Sequence, residues 1–458
     1  MLNANELFFN ELINKNHETF QNWKTLKWIN PYNAMDFIQE KEKIYESLQD
    51  ILNYDFNKTK PWLNQLSPGC RLCGAGEWSC LFITGKCNAN CFYCPAPQEV
   101  DDLPTAQQLQ FAEAEAYADF INHFNFKGCS FSGGEPFLVF DRLVNFLSVI
   151  RKRTSPELYI WLYTNGMLAT KEKFKALADK GLNEVRFDIG AINYSVQPIK
   201  NATGIIPNIT VEIPAVPEKI ELLKKILPDL IDAGVTNFNL HQLRLTAHNV
   251  KHLSKHDYTY IHGEHPSVVQ SELGALQIAA YIAENKLPIG INYCSFQYKY
   301  RFQKAGYRKK ILKTIFPSEE ITDNGFAASI FISFEKEKNW ENLKISSEED
   351  ISNHNFSKTT ITNFLNLTEK PQAVLVILEG AFLTDKPDNN SKNISYKINS
   401  RTYFVNKAQS TQPILFWGEK IFSLINFLKN IPIQSPKEND LFTLWRFFAI
   451  EFGEREYI

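Results

Sequence analysis

Six of the eight cysteines fall between Cys70 and Cys94, and their spacing is the feature of this chain most able to do chemistry. Thiols packed this closely, in a chain without secretory features, hold iron–sulfur clusters or zinc more often than they form disulfides. Cys87, Cys91 and Cys94 form a C-x3-C-x2-C triplet with an aromatic, Tyr93, directly before the last thiol. Three thiolates on one short loop can ligate three irons of a [4Fe-4S] cluster and leave the fourth iron open to another ligand. A zinc knuckle or a buried ferredoxin-like cluster suits the same spacing.

Cys70, Cys73 and Cys80 follow a C-x2-C-x6-C pattern. The triplet already fills the protein positions of its own cluster, so these three point to a separate site that needs a fourth ligand. Cys129, inside an apolar strand pattern, reads as a core thiol. Cys294 follows Leu287-Pro-Ile-Gly-Ile-Asn-Tyr293, a strand ending beside the main sheet, and is the better candidate. An auxiliary [4Fe-4S] cluster on Cys70, Cys73, Cys80 and Cys294 is the favoured reading. Structural zinc on the same thiols is the alternative, as is a Cys80 that merely points inward.

The second chemical element is Phe131-Ser132-Gly133-Gly134-Glu135-Pro136. Paired glycines let backbone approach a ligand, and the Glu135 carboxylate can accept hydrogen bonds from an ammonium group. Alone, the run would be a turn more often than a site.

The elements that must position these residues alternate. Strand patterns are expected over 80–84, 127–132, 158–163, 183–189, 208–213 and 237–240. Helices are expected over about 105–123, 137–151, 171–180 and 218–233. Such repetition argues for parallel strands with crossover helices, closed or partly closed into a barrel whose active site lies at the carboxyl ends of the strands. The cysteine loop follows the first strand, at that end. Three regions result: an N-terminal helical segment (1–66), taken as a cap or lid without chemistry, a barrel with its cysteine-rich entry (67–315), and a C-terminal α/β domain (316–458). The last has strand patterns near 327–333, 373–378 and 403–405, and helical patterns near 420–428 and 439–452.

The triplet, answered one strand later by Gly133, Gly134, Glu135 and Pro136, resembles the signature of the radical S-adenosylmethionine (radical SAM) superfamily. Ser132 stands where that family more often has Thr. The resemblance covers about residues 81–245. It implies a partial (β/α)6 TIM-like barrel, a [4Fe-4S] cluster on Cys87, Cys91 and Cys94, and S-adenosylmethionine chelated by the open iron through its amino and carboxylate groups. One electron, from a flavodoxin- or ferredoxin-like reductant, would then release a 5'-deoxyadenosyl radical that takes a hydrogen atom from a peptide or small molecule. Gly133 to Pro136 would hold the methionine amino group. Asn165, in Tyr163-Thr164-Asn165-Gly166, and Asp188, at the end of the fourth strand, match polar positions of the family, Asp188 near the ribose. Arg244, after the sixth strand, stands at ligand level, as do Glu212, Pro214, His241 and Gln242; each is also an ordinary rim residue if the strand count is off. A glycyl-radical protein is disfavoured as substrate, because dedicated activases are usually shorter than 458 residues.

A net charge of -2, with 44% hydrophobic and 22% charged residues, describes an ordinary globular chain without a global field for nucleic acid or anionic membrane. No basic region followed by an apolar run opens the sequence and no stretch approaches eighteen apolar residues, so a cytoplasmic address and no membrane partner are expected. His248, His252 and His256 recur every four residues, but their polar surroundings favour a solvated face or substrate loop over metal. Residues 298–310 interleave bases with aromatics; they suit phosphate, nucleic acid or acidic peptide as well as a wetted amphipathic helix. Two other functional classes stand beside the radical enzyme: a non-catalytic iron–sulfur or zinc protein, and a nucleic-acid modifier resting on residues 298–310.

Overall fold

The computed structural model describes residues 4–56, 59–100, 102–334, 357–359, 363, 373–384 and 395–406. The helical patterns near 420–428 and 439–452 lie outside them. Residues 11–303 form one compact unit, and residues 4–10 with the described parts of 304–384 and 395–406 belong to another.

In the first unit eight strands carry the site. They are β1 (Lys60–Leu63), β2 (Trp78–Thr84), β3 (Gly128–Gly133), β4 (Tyr159–Thr164), β5 (Glu184–Phe187), β6 (Asn208–Pro214), β7 (Asn237–His241) and β8 (Gly290–Cys294). Strands β2 to β8 run parallel, each beside its predecessor. The sheet is therefore mixed α/β and mostly parallel, a partial TIM-like barrel whose two end strands do not pair. The six strands read from sequence are present, and β8 joins the same sheet as a seventh parallel strand. Crossover helices include α1 (Ala114–His123), α2 (Phe140–Arg153), α3 (Lys171–Asp179), α4 (Ile220–Asp232) and α5 (Val269–Glu284).

Side chains alternate along these strands, and the two faces differ in chemistry. Toward the helices lie Leu81, Ile83, Cys129, Phe131, Ile160, Leu162, Val185, Phe187, Val211, Ile213, Phe238 and Leu240, all without solvent exposure. Cys129 is thus a core thiol. The opposite face carries Cys80, Ser130, Tyr163, Glu184, Arg186, Thr210, Glu212, Asn239, His241, Asn292 and Cys294. Parallel sheets usually bury apolar residues on both faces. Here the inner face is largely polar, with Trp78 and Trp161 stacked among these groups, instead of a packed aliphatic centre.

Two local expectations change, and the histidine series is placed. The helix expected from Thr105 starts only at Ala114, because Thr105–Ala106 and Leu109–Gln110 pair as a tight hairpin. Its two central residues, Gln107 and Gln108, take the left-handed conformation that such two-residue turns require. Next, the three histidines do not share a helix: the helical turn there spans only Val250–Leu253. Finally, the N-terminal segment is not only a helical cap. Helices Ala4–Thr19 and Pro31–Leu48 are followed by Asn53–Asp55 and β1, which extend the barrel sheet antiparallel beyond β8. Register pairs Trp62 with Asn292, which places Lys60 beside Cys294.

In the other unit, Ala327–Ser333, Ser357–Thr359, Ala373–Thr384 and Ser395–Asn406 form an antiparallel four-stranded sheet. The three strand patterns read from its sequence fall on these strands. Among the described residues no helix is long and apolar enough to cross a membrane.

Candidate functional site

Strand β2 ends at Thr84 and releases the loop that carries Cys87, Cys91 and Cys94. Main-chain bonds hold the loop's shape: Cys87 N–H donates to Gln98 O (3.0 Å) and Cys94 N–H to Cys91 O (3.0 Å). Two N–H groups face the first sulfur, from Ala89 main chain at 3.4 Å and Asn165 Nδ2 at 3.9 Å. Asn165 also donates to Asn88 Oδ1 (2.7 Å), tying the loop to the end of β4. The three thiols are neither fully buried nor fully exposed. Burial, reinforced by Asp188, pushes Cys91 up to about 12. In the metal-free chain it is a thiol, and metal binding must displace its proton. Three sulfurs with N–H donors behind the first suit a cluster with one open iron by their donor chemistry. Among the described residues no three His, Cys, Asp or Glu side chains converge as a single metal ion would require.

The Gly133–Pro136 segment is built onto this loop. Gly134 N–H donates to Thr84 O (2.8 Å) and Glu135 N–H to Lys86 O (2.7 Å). Gly133 has φ +117°, and a Cβ there would lie 2.2 Å from Thr84 O; a Cβ on Gly134 would lie 1.9 Å from Lys86 O. Both clashes are with main chain, which cannot swing away, so the glycines are required by the contact. The Glu135 carboxylate is fully buried and engaged: it accepts from Phe137 N–H (3.0 Å), Thr164 Oγ1 (2.8 Å) and Asn165 N–H (2.7 Å). Burial raises its pKa and the three donors pull it back in part. Sequence offered this carboxylate to a ligand ammonium; in the structure its three hydrogen bonds tie the end of β4 to the Gly133–Pro136 segment. Glu135→Ala is expected to strand three donors and cost about 3–5 kcal/mol, measured as the denaturation midpoint of the metal-free chain. A loss under about 1 kcal/mol would deny the clamp.

Tyr93 and Asp188 meet at the same rim, Tyr93 Oη donating to Asp188 Oδ1 at 2.8 Å. Burial lifts Asp188 to about 6, against the pull of this bond. Asn249 Nδ2 donates to Tyr93 O (3.0 Å). Phe92 stacks on His256, which stacks on Tyr258 and meets Glu218 Oε1 at 2.8 Å. One member of the histidine series thus braces the cysteine loop. Arg244 lies over the Phe296 ring, and its buried Nε has no partner among the described residues.

Cys70, Cys73, Cys80 and Cys294 face the inside of the barrel, whereas Cys129 does not. A short helix, Pro68–Ala75, carries Cys70 and Cys73 three residues apart on one face. Ser67 caps it, Pro68 supplies its first turn and Gly76 ends it in the left-handed conformation, so the punctuation that delivers the pair is local. The structure brings Cys294 to this pair through shared neighbours. Lys60 Nζ donates to Cys294 Sγ (2.9 Å) and Asn292 Oδ1 (2.9 Å), and Asn292 Nδ2 lies 3.8 Å from Cys70 Sγ. Asn239 Nδ2 reaches Cys70 Sγ (3.1 Å); Gln303 Nε2 (2.7 Å) and Tyr298 Oη (3.7 Å) reach Cys73 Sγ. Burial pushes Cys73 up to about 11 and raises Cys70. Burial alone would lower Lys60, but Cys294, Cys70 and Cys73 outweigh it and hold it raised. Cys80 faces the same interior, with Ser130 and Ser132 hydroxyls against its thiol; burial pushes it up to about 12. Sequence reasoning missed Lys60, Asn239 and Asn292. Tyr298 and Gln303 lay in the run flagged for its nearness to Cys294.

Above these thiols Arg186 anchors the interior. It donates to Glu184 Oε1 (2.9 Å), Glu212 Oε2 (2.6 Å), Tyr163 Oη (3.3 Å) and Ser67 Oγ (3.0 Å). Glu212, lowered by Arg186 against its burial, is ionised. Burial, with Lys299, pushes His241 down to about 3, so it is neutral near pH 7.

The family model described as the Radical SAM superfamily matches residues 81–213. A putative glycyl-radical enzyme activating enzyme, MJ0021, of Methanocaldococcus jannaschii is 28% identical over 64% of this chain and 78% of its own length. A GTP 3',8-cyclase of Desulforamulus reducens is 32% identical over 25% of this chain and 34% of its own. Among solved structures, Streptococcus suis SuiB aligns with TM-score 0.36 and 14% identity over 64% of this chain and 62% of that chain.

Proposed function

Because the chain belongs to the radical SAM enzyme superfamily, we propose that it cleaves S-adenosylmethionine at Cys87, Cys91 and Cys94 and abstracts a hydrogen atom from a peptide or small molecule. A [4Fe-4S] cluster and S-adenosylmethionine, when bound there, supply a 5'-deoxyadenosyl radical on one-electron reduction. One observation carries the reading. The Gly134 and Glu135 N–H groups are hydrogen-bonded onto the stretch that leads into the cysteine loop, and neither Gly133 nor Gly134 has room there for a side chain, so this segment is seated directly against the thiol-bearing loop.

Each residue then has a task. The backbone of Gly133 to Pro136 receives the amino group of the methionine moiety, while Glu135 holds that backbone in place. Asp188, oriented by Tyr93, serves the ribose hydroxyls, and Arg244 offers its unpartnered Nε–H. The polar inner face, with neutral His241 and anionic Glu212, orients the substrate beneath them. Cys70, Cys73, Cys80 and Cys294 hold an auxiliary cluster. The electron comes from a flavodoxin- or ferredoxin-like donor, and the address is cytoplasmic.

The relative from M. jannaschii bears the name of a putative activating enzyme for glycyl-radical proteins. About a third of this chain lies outside that match, and a peptide or metabolite substrate is retained.

Gly134→Ala tests the bed for S-adenosylmethionine. The Cβ it adds must push Lys86 O away, so the denaturation midpoint should fall, and in the chains that still hold iron the change that S-adenosylmethionine causes in the electron paramagnetic resonance (EPR) spectrum of the reduced cluster should disappear. A variant that responds as wild type does would remove this segment from the site.

A further inference from the structure

Lys60 is the only buried lysine among the described residues, 1% exposed. Placing an ammonium inside a protein costs several kcal/mol unless an anion answers it, yet among the described residues no carboxylate lies within ion-pair distance of it. Its neighbours are Asn292 Oδ1 and Cys294 Sγ, each at 2.9 Å, and the face of the Tyr298 ring, 4.5 Å from Nζ to centroid. The groups around it that a bound metal would hold as anions are sulfurs, Cys294 Sγ the one in hydrogen-bond contact. The other donors point the same way: Asn239 to Cys70, Gln303 and Tyr298 to Cys73. Each of these three sulfurs therefore has an N–H or O–H donor, and one donor is a full positive charge.

We propose that Lys60 is the counter-charge of the thiol site inside the barrel, donating to Cys294 Sγ and drawing the reduction potential of an iron–sulfur cluster held there upward. This rests on reading Cys70, Cys73, Cys80 and Cys294 as an iron–sulfur site. The charge acts because a reduced cluster is more negative than an oxidised one, and hydrogen bonds to sulfur favour the more negative state. Lys60 is a positioning residue in this account: it touches a ligand sulfur and no substrate.

The experiment uses the full chain with Cys87, Cys91 and Cys94 replaced by alanine, so that a cluster at the inner site gives the only signal. This chain and its Lys60→Met, Lys60→Gln and Lys60→Arg derivatives are reconstituted anaerobically, assayed for iron, and titrated with dithionite under EPR. The midpoint of Lys60→Met should fall by at least the tenfold change in the one-electron equilibrium that corresponds to about 59 mV, and Lys60→Arg should restore most of it. If Lys60→Met does not fold, Lys60→Gln, which keeps a donor and loses the charge, should show the fall. Midpoints equal to the parent in Lys60→Met or Lys60→Gln, with iron retained, would overturn the role of Lys60 alone. A parent that binds no iron, or zinc in its place, would overturn the inner-site reading and the inference with it.

Discussion

Alanine at Cys87, Cys91 and Cys94 together is expected to lower reconstituted iron from about eight to about four atoms per chain, and Cys294→Ala to lower it by removing the other four. The two losses should be separable because the two sets of thiols are built by different elements. The first set hangs on the loop after β2, held by main-chain bonds to Gln98 and by Asn165. The second is assembled from the Pro68–Ala75 helix, an inward position on β2 and the end of β8. Removing Cys294 leaves Lys60 without the sulfur it donates to, so a retained cluster would also be less firmly held. Four irons in the wild-type chain, accompanied by stoichiometric zinc, would return the second set to the structural-zinc reading.

Arg186→Ala should be the most destabilising substitution on the inner face of the barrel. The guanidinium is 3% exposed and serves two carboxylates, of which Glu184 is wholly buried. Each carboxylate is paired with the charge that Arg186 brings, and removing it leaves the buried Glu184 without its ion-pair partner. Breaking such a buried pair from one side costs about 3–5 kcal/mol. The damage should reach the inner thiols, since Arg186 also donates to Ser67, which caps the helix of Cys70 and Cys73. A Cβ on Gly69 would lie 2.3 Å from Arg186 Nη2, so this helix is seated directly against the guanidinium. Denaturant unfolding of the metal-free variant should show the loss, and Arg186→Lys should recover only part of it, because one ammonium cannot reproduce the forked contacts. A change under about 1 kcal/mol would mean that the network is ornamental to stability.

The parallel strands were legible because each inner-face position alternates with an apolar one that packs under a helix: Cys80 against Leu81, Ser130 against Phe131, Arg186 against Val185 and Phe187. The triplet and the Gly-Gly-Glu-Pro run were legible from spacing. Less visible was what the Glu135 carboxylate does, since a composition of Gly, Gly, Glu and Pro says nothing about Thr164 and Asn165, which satisfy it from the next strand. Lys60 was missed because Lys-Pro-Trp-Leu is a four-residue strand with a proline in it. Such a strand is held by pairing with neighbouring Asn53–Asp55 on one side and with β8, far away in sequence, on the other. Gln107 and Gln108 turn a hairpin without glycine, so the helix pattern upstream of Ala114 had nothing to contradict it. The four-residue spacing of the histidines is not used by a helix: the helical turn ends after four residues, and His256 packs with Phe92, Tyr258 and Glu218.

The central claim is that Cys87, Cys91 and Cys94, with the backbone of Gly133 to Pro136 laid against them, form a centre that cleaves S-adenosylmethionine. The most direct measurement reconstitutes the full chain anaerobically, adds S-adenosylmethionine and dithionite, and quantifies 5'-deoxyadenosine by mass spectrometry. The wild-type chain is expected to form it and the Cys91→Ala chain to form none. A wild-type chain carrying its full complement of iron that yields no 5'-deoxyadenosine, with or without candidate substrates, would contradict the account.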